Sequence, residues 1–298
     1  MKSLNFFAAA LAATALPLPA AAATDPVAAE QTARFSVEVV GEGPDVILVP
    51  GLTSPRSVWD DTVALLKDDY RLHLVEVAGF GDTPAGPNGE GDILPHLVAE
   101  LADYAATLDA PTLVGHSMGG FSGLTLALDH PEAIGKLVIV DSLPFFSVIM
   151  NPNATAETAE PQAAMMRQMM VANAETELPA PDCEAPSMQA RGMSKDPAGQ
   201  CKVDLYAASA DRRVTGQLMY EIMTTDLRDR VAELSVPTAM FYPFDPPMLP
   251  AERAAEVYGT AYGEADAVTL IPVEGSRHFI MFDQPAFFHE KLAEFLAN

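Results

Sequence analysis

From Phe35 onward, short apolar runs alternate with segments of helical period, and this rhythm restricts the chain to a sheet covered by helices on both faces. Runs at 35–40, 46–50, 71–77, 111–115, 136–141, 238–243 and 267–272 are brief, and several are rich in β-branched residues and apolar on both faces, as covered strands should be. Helical patterns fill the intervals at 58–66 and 118–129. Another is capped by Asp92 with Pro95 in its first turn, and a C-terminal one opens at Asp283 with Pro285 close behind. Strand and helix repeated in this order predict an α/β fold with a mainly parallel sheet and right-handed crossovers.

One interval breaks the rhythm. Between Val140 and Thr238 no core strand is evident, and the segment is rich in Pro, Ala, Glu and Met. Unbranched thioethers fill irregular space and repack easily, which suits a lid over an apolar pocket. The expected division is therefore a signal peptide at 1–23, a first core part at 24–142, a helical cap at 143–229 and a second core part at 230–298.

The chain carries 41 acidic against 17 basic side chains, a formal charge of −24, which argues against nucleic acid as a partner. At 49% hydrophobic residues it is built to fold and bury a core. Lys2 followed by an apolar run to Leu16 and the small-residue stretch Ala20–Ala23 reads as a secretory signal cleaved before Thr24. No later segment has the roughly 20 apolar residues of a spanning helix, so stable membrane insertion is not expected. Export to a periplasmic or extracellular location would permit a bridge between Cys183 and Cys201, the two cysteines of the chain. No histidine lies between them and neither metal nor organic cofactor is expected.

The most informative string is Gly115-His116-Ser117-Met118-Gly119, set between an apolar strand and a helical run. That context makes it a nucleophile elbow: a tight turn raises the Ser117 hydroxyl above the sheet, and the Met118 N–H at the helix start faces a developing oxyanion. A serine hydroxyl needs a base. His278, in the loop 274–278 after the last strand, is the expected one, whereas His116 adjoins the serine and is assigned to packing or hydrogen bonding. Asp245, stiffened by Pro246 and Pro247 and placed between Ser117 and His278 in chain order, is the expected acid. Asp141 is its rival, assigned instead to shaping the pocket. The turn at Gly51-Leu52-Thr53-Ser54 offers the Leu52 N–H as second oxyanion donor.

Taken together, the Pro50-Gly51-Leu52 loop, the Ala78-Gly79-Phe80-Gly81-Asp82 loop, the Ser117 elbow, Asp245 and His278 resemble the α/β-hydrolase family, in particular its capped serine esterases. The resemblance implies an eight-stranded, mostly parallel sheet whose second strand is antiparallel, with a cap after the sixth. It also implies a triad of Ser117, Asp245 and His278 with Leu52 and Met118 as oxyanion hole. Two departures stand out: Pro50 where many relatives carry His, and Tyr242-Pro243-Phe244 in place of a Gly-rich turn before the acid. Ser117 argues against the dehalogenases and epoxide hydrolases of this fold, which carry Asp at the elbow. The expected activity is hydrolysis of small or medium, uncharged, hydrophobic carboxylic esters. A lactone hydrolase, an aminopeptidase of the same fold and an inactive binding protein are the alternatives.

Overall fold

A computed structural model of the chain describes residues 30–31, 34–81, 83–176, 180–246 and 248–298. The signal segment expected at 1–23 and Asp82 of the family-like loop lie outside the described residues. One eight-stranded sheet runs in the order β1-β2-β4-β3-β5-β6-β7-β8. Its strands are β1 (Glu30–Gln31), β2 (Phe35–Val40), β3 (Asp45–Val49), β4 (Arg71–Val77), β5 (Thr112–His116), β6 (Lys136–Val140), β7 (Thr238–Phe244) and β8 (Val268–Glu274). β2 pairs antiparallel with β1 and β4, and the remaining pairs are parallel.

Alternation along each strand builds two cores. In β3, Ile47 and Val49 face one side with α2 (Leu94–Ala105), α3 (Met118–Asp129) and α8 (Ala251–Tyr262), while Val46 and Leu48 face the other with α1 (Asp60–Leu66) and the last helices, α9 (Ile280–Asp283) and α10 (Pro285–Ala297). Covered on both faces, the inner strands are almost wholly apolar. The sequence pattern did not mark α8, which has few aliphatic residues and buries Ala254, Tyr258 and Tyr262 instead.

Between β6 and β7 the chain forms the helical cap: α4 (Ala156–Ala172), α5 (Met188–Met193), α6 (Pro197–Ser209) and α7 (Arg212–Thr224). A Cys183–Cys201 bridge ties α6 to the segment before α5. Arg167 of α4 lies 4.1 Å over the Tyr220 ring of α7. The expected Asp92 cap of α2 is not formed. The buried Glu221 of α7 accepts from Ile93 N (2.8 Å) and Leu94 N (2.7 Å) instead, so the cap supplies the charge that the helix start needs. Asp283 likewise ends α9 rather than opening the last helix. Its carboxylate accepts from Ser194 Oγ (2.7 Å), Lys195 N (2.8 Å) and Arg277 N (2.8 Å), fastening the α5–α6 turn to the loop after β8.

Among the described residues no helix is long and apolar enough to cross a membrane.

Candidate active site

The carboxyl ends of β5 and β6 lie side by side, with His116 opposite Val140 in the parallel register. The next residue on each strand is therefore a neighbour of the other: Ser117 after β5, Asp141 after β6. Both have positive φ, 53° and 48°, a region costly for residues with a Cβ. Ser117 N donates to Val140 O (2.9 Å) and Asp141 N to Phe241 O (2.9 Å), so the ladder itself holds the two turns.

The elbow leaves no room for side chains at its glycines. A Cβ on Gly115 would lie 2.2 Å from the Gly119 oxygen, and one on Gly119 would lie 2.4 Å from the Val49 oxygen. Gly51 meets the elbow from β3: a Cβ there would approach His116 Nδ1 to 2.8 Å and the Ser117 Cβ to 3.2 Å. The turn carrying Leu52 thus abuts the serine, closed by Ser54 N donating to Gly51 O (3.1 Å). Met118 opens α3, where the first amides of a helix have no intrahelical acceptor.

His278 reaches the same place from the loop after β8. Its Nδ1 lies 2.6 Å from Asp141 Oδ2, and the Asp141 side chain is only 11% exposed. The other Asp141 oxygen accepts a hydrogen bond from the Tyr258 hydroxyl of α8. His116 sits beside this pair with ring centroids 4.6 Å apart and donates its Nε2–H to the His278 carbonyl (3.1 Å). Complete burial, reinforced by the neighbouring His278, holds the His116 imidazole well below its ordinary value, so it stays neutral as a fixed prop under the His278 loop.

Asp245, expected to orient His278, is placed otherwise. β7 runs on to Phe244 and sets Asp245 four residues beyond Phe241, the partner of Val140, roughly 13 Å along the strand direction. There it accepts from Lys195 Nζ (3.0 Å) and Arg277 Nε (3.1 Å). Burial pushes the Asp245 carboxyl up, but the hydrogen bonds and charges of Lys195 and Arg277 outweigh it and hold it below the usual range. The assignment of Asp245 as the partner of His278 is therefore corrected to Asp141. Both acids precede His278 in the chain, so sequence order did not separate them.

Ser117, His278, Asp141, Leu52 and Met118 line a cavity of about 520 Å³ between sheet and cap. Leu143, Phe146, Met170, Met219 and Ile222 make its cap side apolar. This size and lining suit a small or medium organic molecule. Among the described residues no group of three His, Cys, Asp or Glu side chains could hold a metal ion.

Comparison with known proteins agrees with this fold. The esterase from Exiguobacterium antarcticum superposes with a TM-score of 0.71 at 18% identity, covering 89% of this chain and 96% of that one. The enol-lactonase from Burkholderia xenovorans gives 0.67 at 18%, with the same coverage. At that identity the likeness is one of fold. A pimeloyl-[acyl-carrier protein] methyl ester esterase from Aeromonas hydrophila is 40% identical over 111 residues, 37% of this chain and 42% of the relative, so less than half of that protein's length is matched. The enzyme of the same name from Vibrio atlanticus is 28% identical over 210 residues, 68% of this chain and 77% of the relative. The model of the alpha/beta hydrolase family matches residues 46–291, and the chain belongs to that family.

Proposed function

We propose that the protein is a serine hydrolase that cleaves neutral carboxylic esters through an acyl-enzyme, with Ser117 as nucleophile, His278 as base and Asp141 as acid. The observation that carries this reading is the 2.6 Å contact between His278 Nδ1 and Asp141 Oδ2 beside a serine on a strained elbow. With Nδ1–H donated to the carboxylate, Nε2 is left to take the Ser117 proton as Oγ attacks the acyl carbonyl. The Leu52 and Met118 amides receive the oxyanion. The imidazolium then returns its proton to the departing alcohol. A water deprotonated at the same nitrogen attacks the acyl carbon and releases the acid and free serine.

The apolar lining of the cavity favours hydrophobic acyl or alcohol parts, and the surplus of acidic side chains disfavours anionic substrates at low ionic strength. Ester cleavage is also the chemistry named for the methyl ester esterases to which the chain is similar. Export of the mature chain remains part of the proposal, supported by the Cys183–Cys201 bridge, which an oxidising compartment would preserve.

The test is hydrolysis of p-nitrophenyl esters of graded chain length by the wild type and Ser117→Ala, beside a panel of lactones and aminoacyl arylamides. Turnover of short or medium esters that vanishes in Ser117→Ala is expected. Brisk arylamide cleavage with poor ester cleavage would move the reading to an aminopeptidase, and Ser117-independent turnover would end it.

A further inference from the structure

A carboxylate largely withdrawn from solvent has two oxygens to satisfy, and His278 engages only one of those on Asp141. The second is met from α8, an element that contributes nothing else to the proposed chemistry. Tyr258 is 6% exposed, its ring stacks on Tyr242 at 4.8 Å and 25°, and its hydroxyl donates to Asp141 Oδ1. One helical turn later Tyr262 donates to the carbonyl of Ser142 at 2.9 Å. Residues four apart share a helix face, so α8 presents two hydroxyls in line to the turn that carries Asp141. That turn holds Asp141 at a φ of 48°, a conformation that persists only when its surroundings enforce it.

We propose that Tyr258 is a positioning residue for the hydrolytic reaction: its hydroxyl fixes the Asp141 carboxylate in the rotamer that faces His278, which lets an acid at the end of β6 serve a site whose β7 position is occupied by an ion pair. The inference rests on the proposed Ser117, His278 and Asp141 assignment. Without the hydroxyl, the carboxylate loses its second anchor and can turn about its terminal bond, which has broad preferences of its own. Burial and the charge of Asp141 push the Tyr258 hydroxyl well above its ordinary range, so it remains a donor at any pH of assay. Tyr242 of β7 and Tyr262 of α8 are the other titratable groups beside the Tyr258–Asp141 pair, and His116 of β5 stands against His278.

The experiment uses Tyr258→Phe, which keeps the ring and its stacking and removes only the donor. On the best ester, kcat should fall about tenfold with KM nearly unchanged, the scale of a lost hydrogen bond to a charged group. Combined with Asp141→Asn, the substitution should cost nothing further, because its effect passes through that carboxylate. A second readout needs no turnover: in Ser117→Ala protein, the NMR resonance of the His278 Nδ1 proton donated to Asp141 should shift when Tyr258→Phe is added, because the carboxylate that accepts it has lost its other donor. Equal kcat in Tyr258→Phe, additive losses with Asp141→Asn, or an unmoved Nδ1 proton resonance would each overturn the proposal. If no ester is turned over in a Ser117-dependent way, the enzymatic reading fails, while the resonance still reports whether Tyr258 governs Asp141 and His278.

Discussion

Asp141 follows β6 and His278 lies in the loop after β8, two strands that β7 separates in the sheet, yet their side chains meet at 2.6 Å. The residue at the end of that intervening strand, Asp245, is turned to cations instead. The carboxylate that orients the imidazole and the one that fastens the cap are therefore different residues, and they should fail in different ways.

Asp141→Asn removes the acceptor that holds His278 in its working tautomer, and kcat should drop by roughly three to four orders of magnitude with little change in KM. Asp245→Asn should keep kcat within about threefold while lowering stability by about 1–3 kcal/mol, a figure discounted because Lys195 is 40% exposed. Steady-state kinetics and thermal melts of both variants check the pair. The reverse pattern would restore Asp245 as the acid.

Gly51→Ala brings a methyl group to 2.8 Å from His116 Nδ1 and 3.2 Å from the Ser117 Cβ, so the turn must shift. Displacing the Leu52 amide from the oxyanion should lower kcat by about 100-fold. Circular dichroism should show the fold retained, which separates a misplaced donor from a collapsed elbow.

Lowering the pH should weaken the fold in two stages. His73, His116 and His289 are held below their ordinary values, chiefly by burial, so the unfolded chain binds protons at them that the folded chain refuses. Their contribution is fully present above the unfolded value, about 6.5, and is lost as pH falls below it toward the folded values. Asp45, Asp211, Asp226 and Asp245 are depressed by their cationic partners against the opposing effect of burial. They add a second loss as pH drops below about 3.9. Urea melts from pH 8 to pH 3 should show the first decline beginning near neutrality, and a flat profile down to pH 5 would contradict the role of the buried imidazoles.

The Cys183–Cys201 bridge closes a loop with a sequence separation of 18, worth about 3 kcal/mol in the chain-entropy model. Cys201→Ser, or reduction, should expose α5 and α6 to protease before the sheet melts. Because the α5–α6 turn is tied to Asp283 and so to the His278 loop, activity should fall along with cap protection.

Strands β2 to β8, the elbow and the loop that carries His278 were legible because each depends on local signals: paired-face hydrophobicity, glycines where a Cβ would touch backbone, and a polar segment after the last strand. Which carboxylate meets His278 was not. It depends on how far β7 extends past β6 and on which cations cross from the cap, and neither Lys195 nor Arg277 announces its partner in the chain. The sequence did carry a warning, since Tyr242-Pro243-Phe244 replaces the turn that would bend an acid back toward the histidine, and β7 continues through those residues. The helix α8 escaped notice because its buried face is built from Ala and Tyr, and its hydroxyls matter only once Asp141 is known to lie beneath them.

In the proposed mechanism Ser117 is made nucleophilic by His278 and Asp141. A fluorophosphonate probe followed by intact mass and peptide mapping tests it most directly. A single adduct on Ser117 is expected in the wild type, formed far more slowly in Asp141→Asn and at an undiminished rate in Asp245→Asn. An adduct at another residue, or labelling of Ser117 that depends on Asp245 and ignores Asp141, would contradict it.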